Sequence, residues 1–246
     1  KRFNDALYLT KDKVIETYEE VKDFDLPEKF LREASGYDFY NTSPYTFTNL
    51  IADSENIEDN FREFLNGFSE NVIDVLENFE FDREISKLAN ANMLFLIIQE
   101  FNKKESYMGP DQISSVDMGY IFEELIRRFS EHGEAGDHYT PREVIKLMVN
   151  ILLSEDNEEL TQPGLVTTVY DCCVGTGGML SVTEQYMREL NPGIQVELFG
   201  QEINPQSFSI SKADMLIKGH KADNIILGDS FTEDGHRGKT FRYMLT

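Results

Sequence analysis

The 246-residue chain reads as two parts of different class: an all-helical domain over residues 1–133, then an α/β domain over 134–246 that forms the first half of a doubly wound parallel sheet. Two observations predict this. Up to about residue 133 apolar side chains recur at helical spacing and no segment alternates at period two, whereas beyond it β-rich runs and helical segments alternate. A third is the glycine-rich turn Gly175-Thr176-Gly177-Gly178 after the first β-rich run, a strand-to-helix junction where missing side chains let a ligand lie against the backbone.

In the N-terminal part, Phe61, Phe64, Leu65 and Phe68 fall at i, i+3, i+4 and i+7, and Tyr120-Ile121-Phe122, Leu125-Ile126 and Phe129 repeat the stripe. Helices are expected near 11–22, 27–34, 57–66, 69–78, 83–103 and 113–132. The stretch Glu131 to Asp137 holds Gly133 and Gly136 and reads as an interdomain loop. Thr140, Pro141 and Glu143 then have the spacing of a capping box, with Thr140 as N-cap and Pro141 first in a helix running to Leu153. A strand follows at Val166–Tyr170, a helix at Gly178–Leu190, and a strand at Gln195–Phe199 that leads into Gly200-Gln201-Glu202. Asn204 caps the next helix, with Pro205 at its first position and Gly219 beyond its end. The last strands are expected at Asn224–Leu227 and Phe241–Leu245. Doubly wound sheets commonly have about five strands or more, so this sheet is read as incomplete.

Composition restricts what the chain does. It carries 23 basic and 45 acidic residues, a net charge of −22, with 40% apolar residues, as expected of a soluble, core-forming chain. Residues 1–110 hold 12 basic and 23 acidic side chains and residues 111–246 hold 11 and 22, so each part nets −11 and neither conceals a basic half. General attraction to DNA phosphate is thus not built in, and Arg127-Arg128 reads as a solvated face. Runs such as Met93–Ile98 fall far short of the ~20 apolar residues of a membrane span. The start, Lys1 to Asp5, has neither an initiator Met nor the apolar stretch of a signal peptide. The cysteines, Cys172 and Cys173, are adjacent, which excludes a disulfide framework and a four-thiolate zinc site. No metal is expected, and a reducing cytoplasm fits best.

Open α/β sheets bind ligands at the carboxyl ends of their strands. Asp171 ends the first strand, Glu202 the second and Asp229 the third, with Ser230 next to it. A dinucleotide fingerprint counted from Gly175 needs a small third residue and finds Leu180, which weakens a nicotinamide reading. S-adenosylmethionine has no pyrophosphate. It needs close backbone approach, a carboxylate for the ribose hydroxyls and a polar group for adenine, which Gly175, Thr176, Gly177, Gly178, Glu202 and Asp229 supply. The start of the helix after Gly136, with Asp137, His138, Tyr139, Thr140, Pro141 and Arg142, offers free N–H groups to a carboxylate such as the methionyl one.

Three segments of the α/β part, Ala135 to Val144, Tyr170 to Leu180 and Gly200 to Pro205, resemble the modification subunit of type I restriction-modification systems. Phe39-Tyr40-Asn41-Thr42-Ser43, Asn66-Gly67-Phe68-Ser69 and Met118 to Leu125 resemble that family's helical domain, so the likeness covers nearly the whole chain. It implies a Rossmann-like methyltransferase domain that transfers methyl from S-adenosylmethionine to the exocyclic amino group of adenine in DNA. It also implies an assembly in which a specificity subunit reads the DNA, beside a second modification subunit and a restriction subunit. Cys172, Cys173 and Val174 stand where the family has Pro, Ala and Cys, while the glycines survive. The family's catalytic Asn-Pro-Pro-aromatic motif follows the fourth strand, so it is expected after Thr246 and no catalytic residue is assigned within the chain. The rival reading is a non-catalytic cofactor-binding or assembly module.

Overall fold

The computed structural model describes residues 1–113 and 140–246, with Asp117, Met118, Tyr120, Ile121 and Glu124 between them. The chain divides into two compact units, Lys1–Ser114 and Ser115–Thr246. The expected boundary at 133/134, the loop Glu131 to Asp137, Arg127-Arg128 and most of the expected helix 113–132 lie outside the described residues.

The first unit is helical: α1 (Arg2–Ala6), α2 (Lys11–Val21), α3 (Pro27–Ser35), α4 (Phe47–Ala52), α5 (Ile57–Asn66), α6 (Glu70–Asn78), α7 (Phe81–Asn90) and α8 (Leu94–Phe101). The α5 stripe forms the core that its spacing implies. Phe64 meets Phe47, Phe61 and Phe68 at ring separations of 5.6, 6.1 and 5.4 Å. Beside it α2 and α3 share Val14, Val21, Leu31 and Ala34. Asn41 ties the loops together, its amide donating to the Phe64 carbonyl at 2.9 Å while its Oδ1 accepts from Ser43 N–H at 2.9 Å and Lys11 Nζ at 2.6 Å.

One expected helix is two. The segment 83–103 breaks between α7 and α8 because Asn92 adopts a left-handed φ of 55° and Met93 N–H bonds back to the Leu88 carbonyl at 2.8 Å. That is a Schellman ending, which Asn tolerates and apolar periodicity does not reveal. The short α1 and α4 were also absent from the periodic pattern.

The second unit is built on four parallel strands, β1 (Val166–Asp171), β2 (Gln195–Glu202), β3 (Ile225–Leu227) and β4 (Tyr243–Leu245), in the order β3-β2-β1-β4. The chain runs outward from β1 through β2 to β3, then returns to the other side of β1, which puts the reversal of strand order at β1. The same unit carries helices α9 (Arg142–Leu153), α10 (Asn157–Leu160), α11 (Gly178–Leu190) and α12 (Pro205–Lys218). Asn204 Oδ1 accepts from Gln206 and Ser207 N–H, and Gly219 closes α12 at φ 75°, both as the sequence indicates.

The start of α9 corrects the capping-box expectation. Pro141 has ψ 139° and its carbonyl accepts the first helical N–H bonds, from Val144 at 2.9 Å and Ile145 at 3.1 Å. Pro141 is therefore the N-cap and Arg142 the first helical residue, Thr140 lies outside the helix, and no side chain caps it. The shift buries Arg142, whose guanidinium lies 4.3 Å from the Tyr120 ring centre.

Leu180, Met187, Ile194 and Leu198 are all at most 2% exposed and fill the interior of this unit. Between β3 and β4 the chain forms no helix. Instead Phe241 stacks on Tyr170 at 4.6 Å, while His236 meets Tyr170 and Phe199 edge-on and bonds through Nε2 to the Gly200 carbonyl at 3.1 Å.

Leu198→Ala should lower the unfolding free energy of this unit by ~2–5 kcal/mol, the range for a buried leucine that leaves a cavity. Urea unfolding followed by circular dichroism measures it. A loss under ~1 kcal/mol would mean that β2 is not the packed centre of the sheet.

Candidate functional site

The β1–β2 pairing places the site. Asp171, the last residue of β1, lies opposite Gly200, so β2 extends two residues further and carries Glu202 past the end of β1. The chain leaving β1 turns across that overhang. Val174 N–H donates to the Gln201 carbonyl at 3.0 Å, and Gly175 N–H donates to Glu202 Oε2 at 2.7 Å. Glu202 Oε1 accepts from Asn204 N–H at 2.8 Å. Both carboxylate oxygens are thus fixed by backbone donors, and each keeps a second acceptor site for a ligand hydroxyl.

The glycines are there for different reasons. Gly175 and Gly177 have φ of 55° and 87°, in the left-handed region that side chains strain. A Cβ on Gly177 would also stand 3.1 Å from Ser211 Oγ of α12. Gly178 opens α11 with its Cβ position 3.5 Å from Ile145 of α9, which places the first turns of α9 near the glycine turn.

The third strand closes the group. Ser230 Oγ donates to the Cys172 carbonyl in a short hydrogen bond, and Asp229 Oδ1 accepts from Phe231 N–H at 2.9 Å. Cys173 N–H donates to Asp171 Oδ1 at 3.0 Å. Asp171 is 1% exposed, and its carboxyl is pushed up to about 6, chiefly by burial, with the Cys173 N–H opposing and the Glu202 carboxylate adding to the rise.

Of the residues predicted from sequence, Asp171, Gly175, Gly177, Glu202 and Ser230 are joined by hydrogen bonds or successive turns at one edge of the sheet. Thr176, Gly178 and Asp229 adjoin them in the chain. Thr140, Pro141 and Arg142 flank the first turn of α9, where Arg142 is turned toward Tyr120. Asp137, His138 and Tyr139 lie outside the described residues.

Two exposed residues were missed. Ile203, directly after Glu202, is 66% exposed and Phe231, directly after Ser230, is 93% exposed. Each is a large apolar side chain one or two residues past an acid at or just after a strand end. The signal available in the sequence was an apolar residue one or two positions past a strand-end acid. Gln201 was missed too. It is fully buried, donates to the Glu233 carbonyl at 2.7 Å and accepts from Gly235 N–H at 3.2 Å, which fixes the segment after β3 to β2.

The arrangement has a fixed carboxylate, exposed apolar surface and a glycine turn. This donor set suits the ribose and adenine of a nucleoside that carries no phosphate, and S-adenosylmethionine is such a molecule. Among the described residues no cluster of three or more His, Cys, Asp or Glu side chains could hold a metal ion, and no helix is long and apolar enough to cross a membrane.

Comparison with known proteins follows the same division. Residues 1–101 match the family model of the HsdM N-terminal domain and residues 114–246 that of the N-6 DNA methylases. The methylase subunit of the type I restriction enzyme EcoEI from Escherichia coli is 26% identical over 225 residues, which covers 81% of this chain and 42% of that protein. The HindI methylase subunit from Haemophilus influenzae is 26% identical over 149 residues, covering 59% and 30%. The chain thus spans less than half the length of these curated relatives. The crystal structure of a type I restriction-modification methyltransferase subunit from Streptococcus thermophilus superposes with a TM-score of 0.62 at 18% identity, covering 98% of this chain and 56% of that one. That likeness establishes the Rossmann-like fold. Since the methylase match takes in more than half of its residues, the chain belongs to the N-6 DNA methylase family, with an HsdM N-terminal domain ahead of the sheet.

Proposed function

We propose that the ends of β1, β2 and β3 hold S-adenosylmethionine, and that the whole protein is the modification subunit of a cytoplasmic type I restriction-modification system. Its reaction is methyl transfer to the exocyclic amino group of adenine in DNA. The observation that carries the reading is the Glu202 carboxylate, fixed by Gly175 and Asn204 N–H and followed by the exposed Ile203.

In this reading Glu202 accepts the ribose hydroxyls, and Ile203 and Phe231 supply apolar surface to the adenine ring, with Asp229 and Ser230 at its polar edge. Gly175, Thr176, Gly177 and Gly178 admit the ligand against the backbone. Asp137 to Arg142 receive the methionyl carboxylate at the start of α9. When bound, the cofactor supplies an electrophilic methyl group. Gripping an adenine outside the base stack is assigned to an Asn-Pro-Pro-aromatic motif, which does not occur in these 246 residues, so they are expected to hold cofactor without methylating DNA. DNA reading falls to a specificity subunit, consistent with the net charge of −22, and a second modification subunit and a restriction subunit complete the assembly.

Calorimetry with S-adenosylhomocysteine should show binding that Glu202→Ala weakens by ~1.5–3 kcal/mol, the worth of hydrogen bonds to a charged group. Unchanged affinity removes Glu202 from the site, and preferential binding of NAD overturns the methyltransferase reading.

Burial of Asp171 makes a second prediction. Its carboxyl titrates near 6 in the folded chain and near ~3.9 when unfolded, so the stability it lends is complete below about pH 4 and is lost as pH rises through 6. Asp171→Asn keeps an oxygen for the Cys173 N–H and should abolish that decline, stabilising the protein at pH 7.5 by on the order of 2 kcal/mol. Parallel stability curves for both proteins between pH 4 and 7.5 would show that the Asp171 carboxyl is not desolvated.

A further inference from the structure

We infer that Cys172 and Cys173 form an oxidisable dithiol whose closure to a disulfide releases the glycine turn from the strand ends and so turns off cofactor binding; this rests on the reading that the turn holds the cofactor. The two thiols are carried by neighbouring residues at the exit of β1, where Cys173 is exposed and Cys172 half-buried. A reagent therefore reaches the pair from solvent through Cys173, and the second thiol is on the adjoining residue.

The consequence follows from which peptide the disulfide would strain. Adjacent Cα atoms are ~3.8 Å apart across a trans peptide and ~2.9 Å across a cis one, both shorter than the ~4.4–6.8 Å that a disulfide normally spans. Closing the ring between neighbours must therefore distort the single peptide unit that joins them. Both polar atoms of that unit are in use at the site. Its N–H, from Cys173, donates to Asp171 Oδ1 at 3.0 Å, and its carbonyl, from Cys172, accepts from Ser230 Oγ. Two residues on, Gly175 N–H makes the 2.7 Å bond to Glu202. Turning the 172–173 peptide breaks the first two bonds and pulls on the third, so β1, β2 and β3 lose their common anchor in one event.

The chemistry is a two-electron oxidation. The two thiols lose two protons and two electrons, an S–S bond forms, and a diazene oxidant such as diamide accepts both as its N=N bond becomes a hydrazine.

The test treats the whole chain with diamide and then with dithiothreitol. The expected product is a monomer lighter by two hydrogens, with the bond mapped to Cys172–Cys173. Amide hydrogen exchange over residues 171–178 should quicken at least tenfold, and affinity for S-adenosylhomocysteine should fall at least tenfold, both reversed by dithiothreitol. Cys173→Ala should show neither response to oxidant. A disulfide between chains, a mixed adduct, or a closed disulfide with unchanged exchange and affinity would each overturn the inference. Should the reduced chain bind no cofactor, the proposed function falls, while the exchange measurement still decides whether the dithiol releases the turn.

Discussion

Everything at the site depends on the register of one strand pair. With Asp171 opposite Gly200, β2 outruns β1 by two residues, and the overhang presents Glu202 to the turn that leaves β1. A slip of one residue would move every side chain of β2 to the other face of the sheet. Leu198 would then leave the core, and Glu202 would face away from Gly175. The register is set by packing, since Val169, Leu198 and Ile225 must all be buried at once. The core of the sheet and the position of the carboxylate are one constraint.

The glycine turn completes it. Gly175 and Gly177 take conformations that other residues enter at a cost of ~1–2 kcal/mol each, and the turn they form brings the Gly175 N–H onto Glu202. Hydrogen bonds to a carboxylate are roughly twice as strong as neutral ones, so the 2.7 Å bond from Gly175 is well suited to hold that geometry. Ser230 and Gln201 extend the same logic to the third strand. The loop after β3, which has no helix to brace it, is held instead by hydrogen bonds to Cys172 and β2 and by the aromatic cluster around His236.

Much of this was legible in the sequence. Asn204-Pro205 and Gly219 mark α12 at both ends because capping chemistry is local, and the acids at strand ends stand out because a carboxylate that terminates an apolar run has few structural reasons to be there. What was not legible depended on backbone conformation or on distant partners. The break at Asn92 follows from one left-handed residue inside an apolar stripe. The capping box at Thr140 had the right residues, yet Pro141 adopted an extended ψ and moved the helix start by one position. Ile203 and Phe231 look like ordinary core residues until the fold leaves them in solvent, and the role of Gln201 depends on residues more than thirty positions away.

We propose that the carboxylate of Glu202, held by Gly175, is the cofactor's anchor. Nitrogen-15 NMR of the Gly175 amide during titration with S-adenosylhomocysteine tests it directly. The account predicts a proton resonance far downfield in the free protein, as befits a short bond to a carboxylate, which moves in proportion to occupancy as ligand hydroxyls compete for Glu202. Saturable shifts elsewhere in the sheet with the Gly175 resonance unmoved would place the cofactor at another site and contradict the account.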